Sequence, residues 1–412
     1  MQMRRRRGDL LTRRIAKIVE TDRCTGCGAC ALLDSRVSMH QQGGFSRPVV
    51  SDEPADPRAV RSSARTFRKI CPGAVVRAQS PPGSTRDPDL GPILGIWEAH
   101  ATDAEVRSRG SSGGVLTALA SWLSETGRAA QVIGARADTQ DPRRTVTVSL
   151  TSREEALAAA GSRYAPVSNA AHPLAMDPNG GFIGKPCEAS ALRALAQTGC
   201  RDPGYSLSFF CAGTPNQAAT DRLVRDLGVD ADKPLRDLWY RGRGWPGRFT
   251  AVPRTGVSAS ASYQESWGKS LGPTVQWRCR LCADGVGESS DVTAGDFWRA
   301  DRCGYPDFDE HDGVSVLIAR TPRGLALVQE AAEAGVVHVS PIEPAEVTRV
   351  QPYQIRRRRY LLGRMAGTLA FLRPVTRYRG FGLLGFALRS PRRTWAEFRG
   401  TMHRTRRRSH RQ

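Results

Sequence analysis

Cys24-Thr25-Gly26-Cys27-Gly28-Ala29-Cys30 is the stretch around which the rest of the chain is read. Its cysteines recur every third residue, and a remote Cys71 is followed directly by Pro72. Cys-x2-Cys-x2-Cys with a distant Cys-Pro is the spacing that holds a cubane [4Fe–4S] cluster. Four thiolates must reach four corners of one cube. A tight glycine-containing loop can wrap three of them around one side and turn its backbone N–H groups toward the cluster sulfurs. The fourth can come from afar, and the proline stiffens its exit. Zinc is the competing reading, but its sites more often use two separated Cys-x2-Cys pairs.

A chain of 412 residues can bury a real core and predicts two or three domains. It holds no uninterrupted apolar run of transmembrane length. The basic start Met1–Gly8 is not followed by an apolar segment, so no secretory signal is expected. With ten cysteines spaced for ligation rather than pairing, the expected setting is a reducing cytoplasm, with at most peripheral attachment at the inner membrane face. The net charge of +21 is concentrated at the ends. Residues 1–17 carry +6 and residues 354–412 carry +16, which leaves the long middle near neutral. Basic tails on a neutral body fit a polyanionic surface, an anionic membrane face ahead of nucleic acid. A solvated, partly disordered tail is the plain alternative.

The expected fold is an α/β body with a small N-terminal ferredoxin-like iron–sulfur module and a basic C-terminal tail. Residues 1–20 read as a basic arm running into a short strand, Ile15–Val19. Residues 21–85 form the module, which depends on its cluster for folding. Residues 79–91 have the composition of a linker. The α/β body takes 86–340 and the Arg-rich tail 341–412, where Gly and Pro interrupt any long helix.

Within the body, Arg109-Gly-Ser111-Ser112-Gly113-Gly114 leads into a helix whose apolar face is Val115, Leu119, Trp122 and Leu123. Small hydroxylated residues at a helix N-terminus let backbone N–H groups approach a phosphate, with Arg109 adding a charged contact. An ordinary capped helix is the plain reading. No Gly-x-Gly-x-x-Gly joins a strand to a helix, so a standard dinucleotide fold is not indicated. Gly161-Ser162-Arg-Tyr164 reads as a turn. Gly181–Leu195 reads as strand, turn, helix, with Lys185, Pro186 and Cys187 at the turn. The helix end and Lys185 would favour thiolate, which makes Cys187 a candidate nucleophile. The next strand, Tyr205–Phe210, runs into Cys211. Two successive strand ends bearing cysteines place both on one edge of a parallel sheet, where ligand sites gather. Cys279-Arg-Leu-Cys282 completes a second set with Cys187 and Cys211, for either a second cluster or zinc. Cys200 and Cys303 are left over.

Several of these stretches together resemble the coenzyme F420 hydrogenase/dehydrogenase beta-subunit family, which also includes 7-hydroxymethyl chlorophyll a reductase-like flavoproteins. The carrying residues are Cys24–Cys30 with Cys71-Pro72, Arg109–Gly114, Gly184-Lys-Pro-Cys-Glu188 and Phe210–Pro215. Tyr240-Arg-Gly-Arg-Gly-Trp-Pro-Gly247, Cys279–Cys282 and Gly295-Asp-Phe-Trp298 continue the series in order. The resemblance implies one FAD and one or two [4Fe–4S] clusters, and it turns the second cysteine set toward iron–sulfur. It implies a flavin against Ser111, Ser112, Gly113 and Gly114, with Arg109, Ser162 and Tyr164 in the same cofactor-binding set. Lys185, Trp245 and Asp296, beside the cysteine motifs, are the expected catalytic residues. The implied activity is an oxidoreductase moving electrons between FAD, clusters and a ferredoxin or coenzyme F420. A ferredoxin-dependent reductase of an unsaturated or chlorophyll-type substrate is the alternative within the family. Outside it stands a zinc-stabilised binding protein with basic tails.

Overall fold

The computed structural model describes residues 8–199, 203–230, 232–298 and 311–409. Cys200, Cys303 and the first residues of the basic arm lie outside the described residues.

The N-terminal module begins with helix α1 (Leu10–Glu20), where a short strand over Ile15–Val19 was expected. Leu11, Ile15 and Ile18 recur at helical spacing and are all buried. Asp9 caps the start by accepting the Thr12 N–H at 2.9 Å. A window confined to Ile15–Val19 misses Leu11 and the cap, and its β-branched residues then imitate a strand. Helix α2 (Pro57–Ile70) starts on an Asp56 cap with Pro57 in its first turn and buries Val60, Ala64, Phe67 and Ile70. Together with the hairpin Val37–Gln42/Phe45–Val50, the two helices enclose the Cys24–Cys30 loop in one apolar cluster.

The body is built on an eight-stranded mixed sheet. In chain order its strands are β1 (Gly95–Ala101), β2 (Val132–Ala137), β3 (Thr145–Leu150), β4 (Gly181–Gly184), β5 (Tyr205–Phe209), β6 (Val292–Asp296), β7 (Ser315–Ala319) and β8 (Val337–Pro341). In space they run β8-β1-β7-β6-β5-β4-β2-β3. The central pairings β2–β4, β4–β5 and β5–β6 are parallel, and the outer pairings are antiparallel. Helices α3 (Val115–Glu125) and α5 (Pro322–Glu333) pack on one face, over Val132, Leu207, Val292 and Leu317. Helix α4 (Pro186–Ala196) packs on the other, where Ile133 and Phe182 meet Leu192, Leu195 and the module's Cys27 and Ile70. Alternate strand residues thus feed two separate cores. A small antiparallel sheet, Leu235–Trp239, Phe249–Pro253 and Ala259–Ala261, stands beside it.

Two expectations are corrected here. The supposed linker contains an antiparallel hairpin, Thr85–Asp87/Gly91–Ile93, clamped by buried charges. Arg86 and Arg358 both pair with the fully buried Glu288, and Arg359 pairs with Asp89. The C-terminal tail, where Gly and Pro were expected to interrupt any long helix, folds as a helical cap. It comprises α6 (Pro352–Arg359), α7 (Leu361–Leu369), α8 (Leu383–Arg389) and the 19-residue α9 (Pro391–Ser409). Pro352 and Pro391 open helices instead of breaking them. Gly363 and Gly367 lie at the α7–α9 contact, where an added Cβ would come within 2.2 Å of the Thr394 carbonyl and 2.6 Å of the Phe398 carbonyl. The two glycines are thus a packing surface with the small-x3-small spacing that lets helix backbones approach. Arg357 and Arg358 of α6 are buried and donate to the Cys211 and Asp89 carbonyls.

Candidate functional site

The pairing registers bring the relevant strand ends to a single edge of the sheet. β4, β5 and β6 run parallel and end at Gly184, Phe209 and Asp296. Antiparallel β7 begins on the same edge, with Ser315 opposite both Asp296 and Ala99, and Ala101 of β1 lies opposite Val337 of β8. Cys187 and Cys211 follow β4 and β5 directly, as expected for two cysteines on one parallel edge.

Cys24, Cys27, Cys30 and Cys71 line one small cavity walled by Ile15, Ile18, Phe67 and Ile70. Gly26 and Gly28 turn the loop at φ +70° and +89°. At Gly28 a side chain would also strike Ala171 at 2.7 Å, so no other residue fits. The Gly26 N–H points at Cys24 Sγ at 3.4 Å. Burial pushes the Cys27 thiol up to about 11 and Cys71 up to about 12, and Cys30 is raised well above its ordinary value, each reinforced by neighbouring thiols. Four thiolates are stable in such a place only around a cationic centre, so the donor set and its burial fit a metal cluster. No three His, Cys, Asp or Glu side chains among the described residues close on one point as a single ion requires.

The second set forms next to the first. Cys187 lies in the first turn of α4, and burial pushes its thiol well above the ordinary range. Lys185 lowers the Cys187 thiol as expected, but burial, Glu188 and the neighbouring thiols oppose it. The ammonium of Lys185 is held by Glu188 Oε1 at 2.6 Å and the Val167 carbonyl at 2.8 Å. Glu188 also accepts the Lys185 and Asn169 backbone N–H groups, which with Lys185 oppose the burial that raises its carboxyl. Cys211 is pushed up to about 12 by burial and by the facing Cys279 and Cys282, and Cys187 faces both Cys211 and Cys27. Cys279 sits in a short helix, Trp277–Arg280.

Two residues that the sequence reading missed join the sets. Buried Gln276 donates from Nε2 to Cys279 Sγ at 3.4 Å and to the Thr25 carbonyl at 3.0 Å. Its Oε1 accepts both Nη groups of Arg47 at 3.2 Å, and Arg47 in turn bonds Cys24. Buried Arg278 donates to the Pro72 carbonyl at 2.9 Å and the Leu281 carbonyl at 3.2 Å, so it touches the backbone beside Cys71 and beside Cys282. Its Nε has no hydrogen-bond partner among the described residues. The available signal was that both residues flank Cys279.

The residues expected around a flavin converge on another missed residue, Arg241. Its buried guanidinium donates to Asp296 Oδ2 at 2.6 Å, to the Ser111 carbonyl at 2.6 Å and to the Pro246 carbonyl at 2.8 Å. It lies 5.0–5.2 Å from the ring centres of Tyr263, Trp298 and Trp245. Ser162 donates to Ser111 Oγ at 2.7 Å, and Tyr164, its hydroxyl pushed up by burial, bonds Arg241 and packs on Tyr240 and Trp267. Ser112 donates to the Val314 carbonyl, and the Gly113 N–H bonds Ser315 Oγ at 2.9 Å. A side chain at Gly113 would strike the Ala99 carbonyl at 2.5 Å, so this glycine seats the loop on β1. Gly114, at φ +72°, starts α3 without a side-chain cap. Arg109 ends the short helix Ala104–Arg109, with its carbonyl against Gly242. Beside this group opens a cavity of about 870 Å³ lined by Ser112, Trp245, Arg107, His100 and His338, within the usual size of cofactor sites. Its volume and its mixed aromatic and polar wall fit a flavin. Trp245 and Asp296 therefore join Ser111, Ser112, Ser162 and Tyr164, whereas Lys185 belongs with the cysteines.

Residues 96–172 match the family described as "Coenzyme F420 hydrogenase/dehydrogenase, beta subunit N-term", and residues 179–345 match its C-terminal counterpart. The chain is 25% identical over 257 residues to the coenzyme F420 hydrogenase subunit beta of Methanococcus voltae, covering 60% of this chain and 83% of that protein. The subunit of the same name from Methanothermobacter thermautotrophicus is 25% identical over 270 residues, 62% of this chain and 86% of that one. A chain from the F420-reducing [NiFe] hydrogenase complex of Methanosarcina barkeri shares the fold at a TM-score of 0.54 and 21% identity, over 71% of this chain and 98% of that chain.

Proposed function

Because the chain belongs to the coenzyme F420 hydrogenase/dehydrogenase beta-subunit family, we propose that it is an iron–sulfur flavoprotein oxidoreductase. The reading is carried by the order of groups along the sheet edge. The large cavity at β1 and β8 is followed by the Arg241–Asp296 group at β6, the second cysteine set at β5 and β4, and then the first set. FAD, when bound, supplies two-electron hydride exchange, and [4Fe–4S] clusters supply single-electron transfer.

The chain's own residues do the rest. Cys24, Cys27, Cys30 and Cys71 hold one cluster, and Cys187, Cys211, Cys279 and Cys282 hold the other. Arg241 fixes the Ser111 loop against Asp296, and Trp245 and Trp298 keep water from that guanidinium. Ser112 lines the cavity, and Arg109, Ser111, Gly113 and Gly114 form the loop that carries it, with Ser162 and Tyr164 behind. Lys185 offsets the negative charge of the second set. Coenzyme F420 is the favoured hydride partner, supported by the name of the matched relatives, and a ferredoxin is the one-electron partner. The likeness to a subunit of a hydrogenase complex supports assembly with further protein chains.

Anaerobic purification followed by metal, sulfide and flavin analysis tests the proposal. We expect roughly eight irons and one FAD per chain, and reduction of the bound chromophores by reduced F420. Arg241→Met should empty the flavin and leave the iron in place. Zinc without flavin would overturn the reading. Reduction by ferredoxin alone would move it to a ferredoxin-dependent reductase.

A further inference from the structure

The C-terminal cap presents a surface that neither the sheet edge nor the cysteine sets use. From residue 354 to the end the only acidic residue is Glu397, and it is engaged by Arg364 at 3.0 Å and by Arg404. Arg377, Arg379, Arg389, Arg392, Arg393, Arg399 and Arg406 are exposed, so the exposed charge of the cap among the described side chains is positive.

Large apolar side chains are exposed among these arginines. Leu384 and Leu388, one turn apart on α8, are 65% and 71% exposed, and Trp395 of α9 is 61% exposed. Leu372, in the segment before α8, is 94% exposed. α8 is anchored from beneath by buried Phe386, and it contacts both α7 and α9. α9 is anchored by the glycine contacts with α7 and by buried Thr401 and Thr405, which leaves Trp395, stacked on Phe398 at 4.8 Å, on its outer side. The exposed leucines and tryptophan therefore stand on a rigid support and are not the residue of an unfolded tail.

We propose that this face docks on an anionic lipid bilayer. Leu384, Leu388 and Trp395 enter the headgroup boundary, and the surrounding arginines pair with lipid phosphates while their stems lie along the apolar layer. The combination favours lipid over nucleic acid. A nucleic-acid backbone would satisfy the arginines but give the leucines nothing to bury against. No helix among the described residues is long and apolar enough to cross a membrane, so the contact is interfacial.

Co-sedimentation of the full holoprotein with vesicles tests this. Binding is expected to vesicles of phosphatidylcholine with about 30% phosphatidylglycerol and not to phosphatidylcholine alone, and to weaken as salt rises from about 0.05 to about 0.5 M. The triple variant L384S/L388S/W395S, with every charge kept, should lower the partition coefficient roughly tenfold or more, with circular dichroism and chromophore absorbance unchanged. If that variant misfolds, Trp395→Phe serves instead. Quenching of tryptophan emission by brominated lipid in the anionic vesicles should be present in the wild type and lost in the variant. Equal binding to neutral vesicles, undiminished binding by the triple variant, no binding at all, or tighter binding to duplex DNA that the triple variant retains would each overturn the proposal.

Discussion

Gln276 shows how much one uncharged side chain can decide. Its amide touches a cysteine of one set and the loop of the other, and its oxygen fixes Arg47 beside Cys24. An N–H donor aimed at a ligating sulfur stabilises the more negative, reduced state of a cluster. Gln276→Leu keeps the volume and removes the donor. If Cys279 holds a cluster as proposed, the potential of that cluster should then move to more negative values while the iron content is unchanged. A redox titration followed by electron paramagnetic resonance checks this, and an unshifted midpoint would show that the amide serves only to pack. Arg278 is the companion case. A buried cation between two cysteine sets, with Nε left over, is costly unless negative charge is nearby. The two thiolate-bound clusters proposed above would be a source of that charge.

At the level of elements, the α7–α9 pair carries the cap. Gly363 and Gly367 permit a backbone approach that any side chain would prevent. Gly367→Leu should therefore cost on the order of 1–3 kcal/mol at that contact and loosen α9 without touching the sheet. Limited proteolysis should then remove the C-terminal helices faster than in the wild type, with the cofactor spectrum retained. An unchanged cleavage rate would mean that α9 is held by its ion pairs to Arg364 instead. The hairpin at 85–93 makes the same point about polar burial. Buried Glu288 accepts hydrogen bonds from Arg86 and forms an ion pair with buried Arg358, so its removal would leave the Arg358 charge unpaired in a low dielectric.

Across the whole molecule, Asp291 is the junction. Its carboxylate accepts Arg193 of α4 at 2.9 Å, the Ser206 N–H of β5 at 2.9 Å, and Thr321 and Arg323 at the start of α5 at 2.7 and 2.8 Å. Burial alone would raise this carboxyl, but Arg193, Arg323 and the hydrogen bonds hold it below its ordinary value of 3.8. A depressed carboxyl gives stability that is complete above the unfolded value and is lost as pH falls through the folded one. Stability should therefore fall as pH drops below 3.8. Asp291→Asn should be less stable at neutral pH by about 3–5 kcal/mol and show a shallower acid dependence. Urea midpoints measured at a series of pH values decide this, and parallel curves for the two proteins would remove Asp291 from the account.

The linear chain specifies the local elements and the candidate donor residues. The spacing at Cys24–Cys30, the strand–turn–helix around Lys185–Cys187 and the helix after Gly114 follow from near neighbours, because periodicity, caps and glycine torsions act over a few residues. It also carried the family, through the order of short motifs. It misread Ile15–Val19, whose helical partner residue lies outside the window, and it took 79–91 for a linker because composition does not reveal that Arg86 finds buried Glu288 202 residues away, or that buried Asp89 finds Arg359 270 residues away. The tail was misjudged for the same reason, since glycine reads as a breaker until a second helix comes to lie against it. It is the long-range packing that brings the two cysteine sets side by side through Gln276 and Arg278, gathers Ser111, Asp296 and Pro246 around Arg241, and puts Lys185 beside the cysteines. Each of these depends on which strand ends share an edge, and strand order is fixed by long-range pairing that no local stretch encodes.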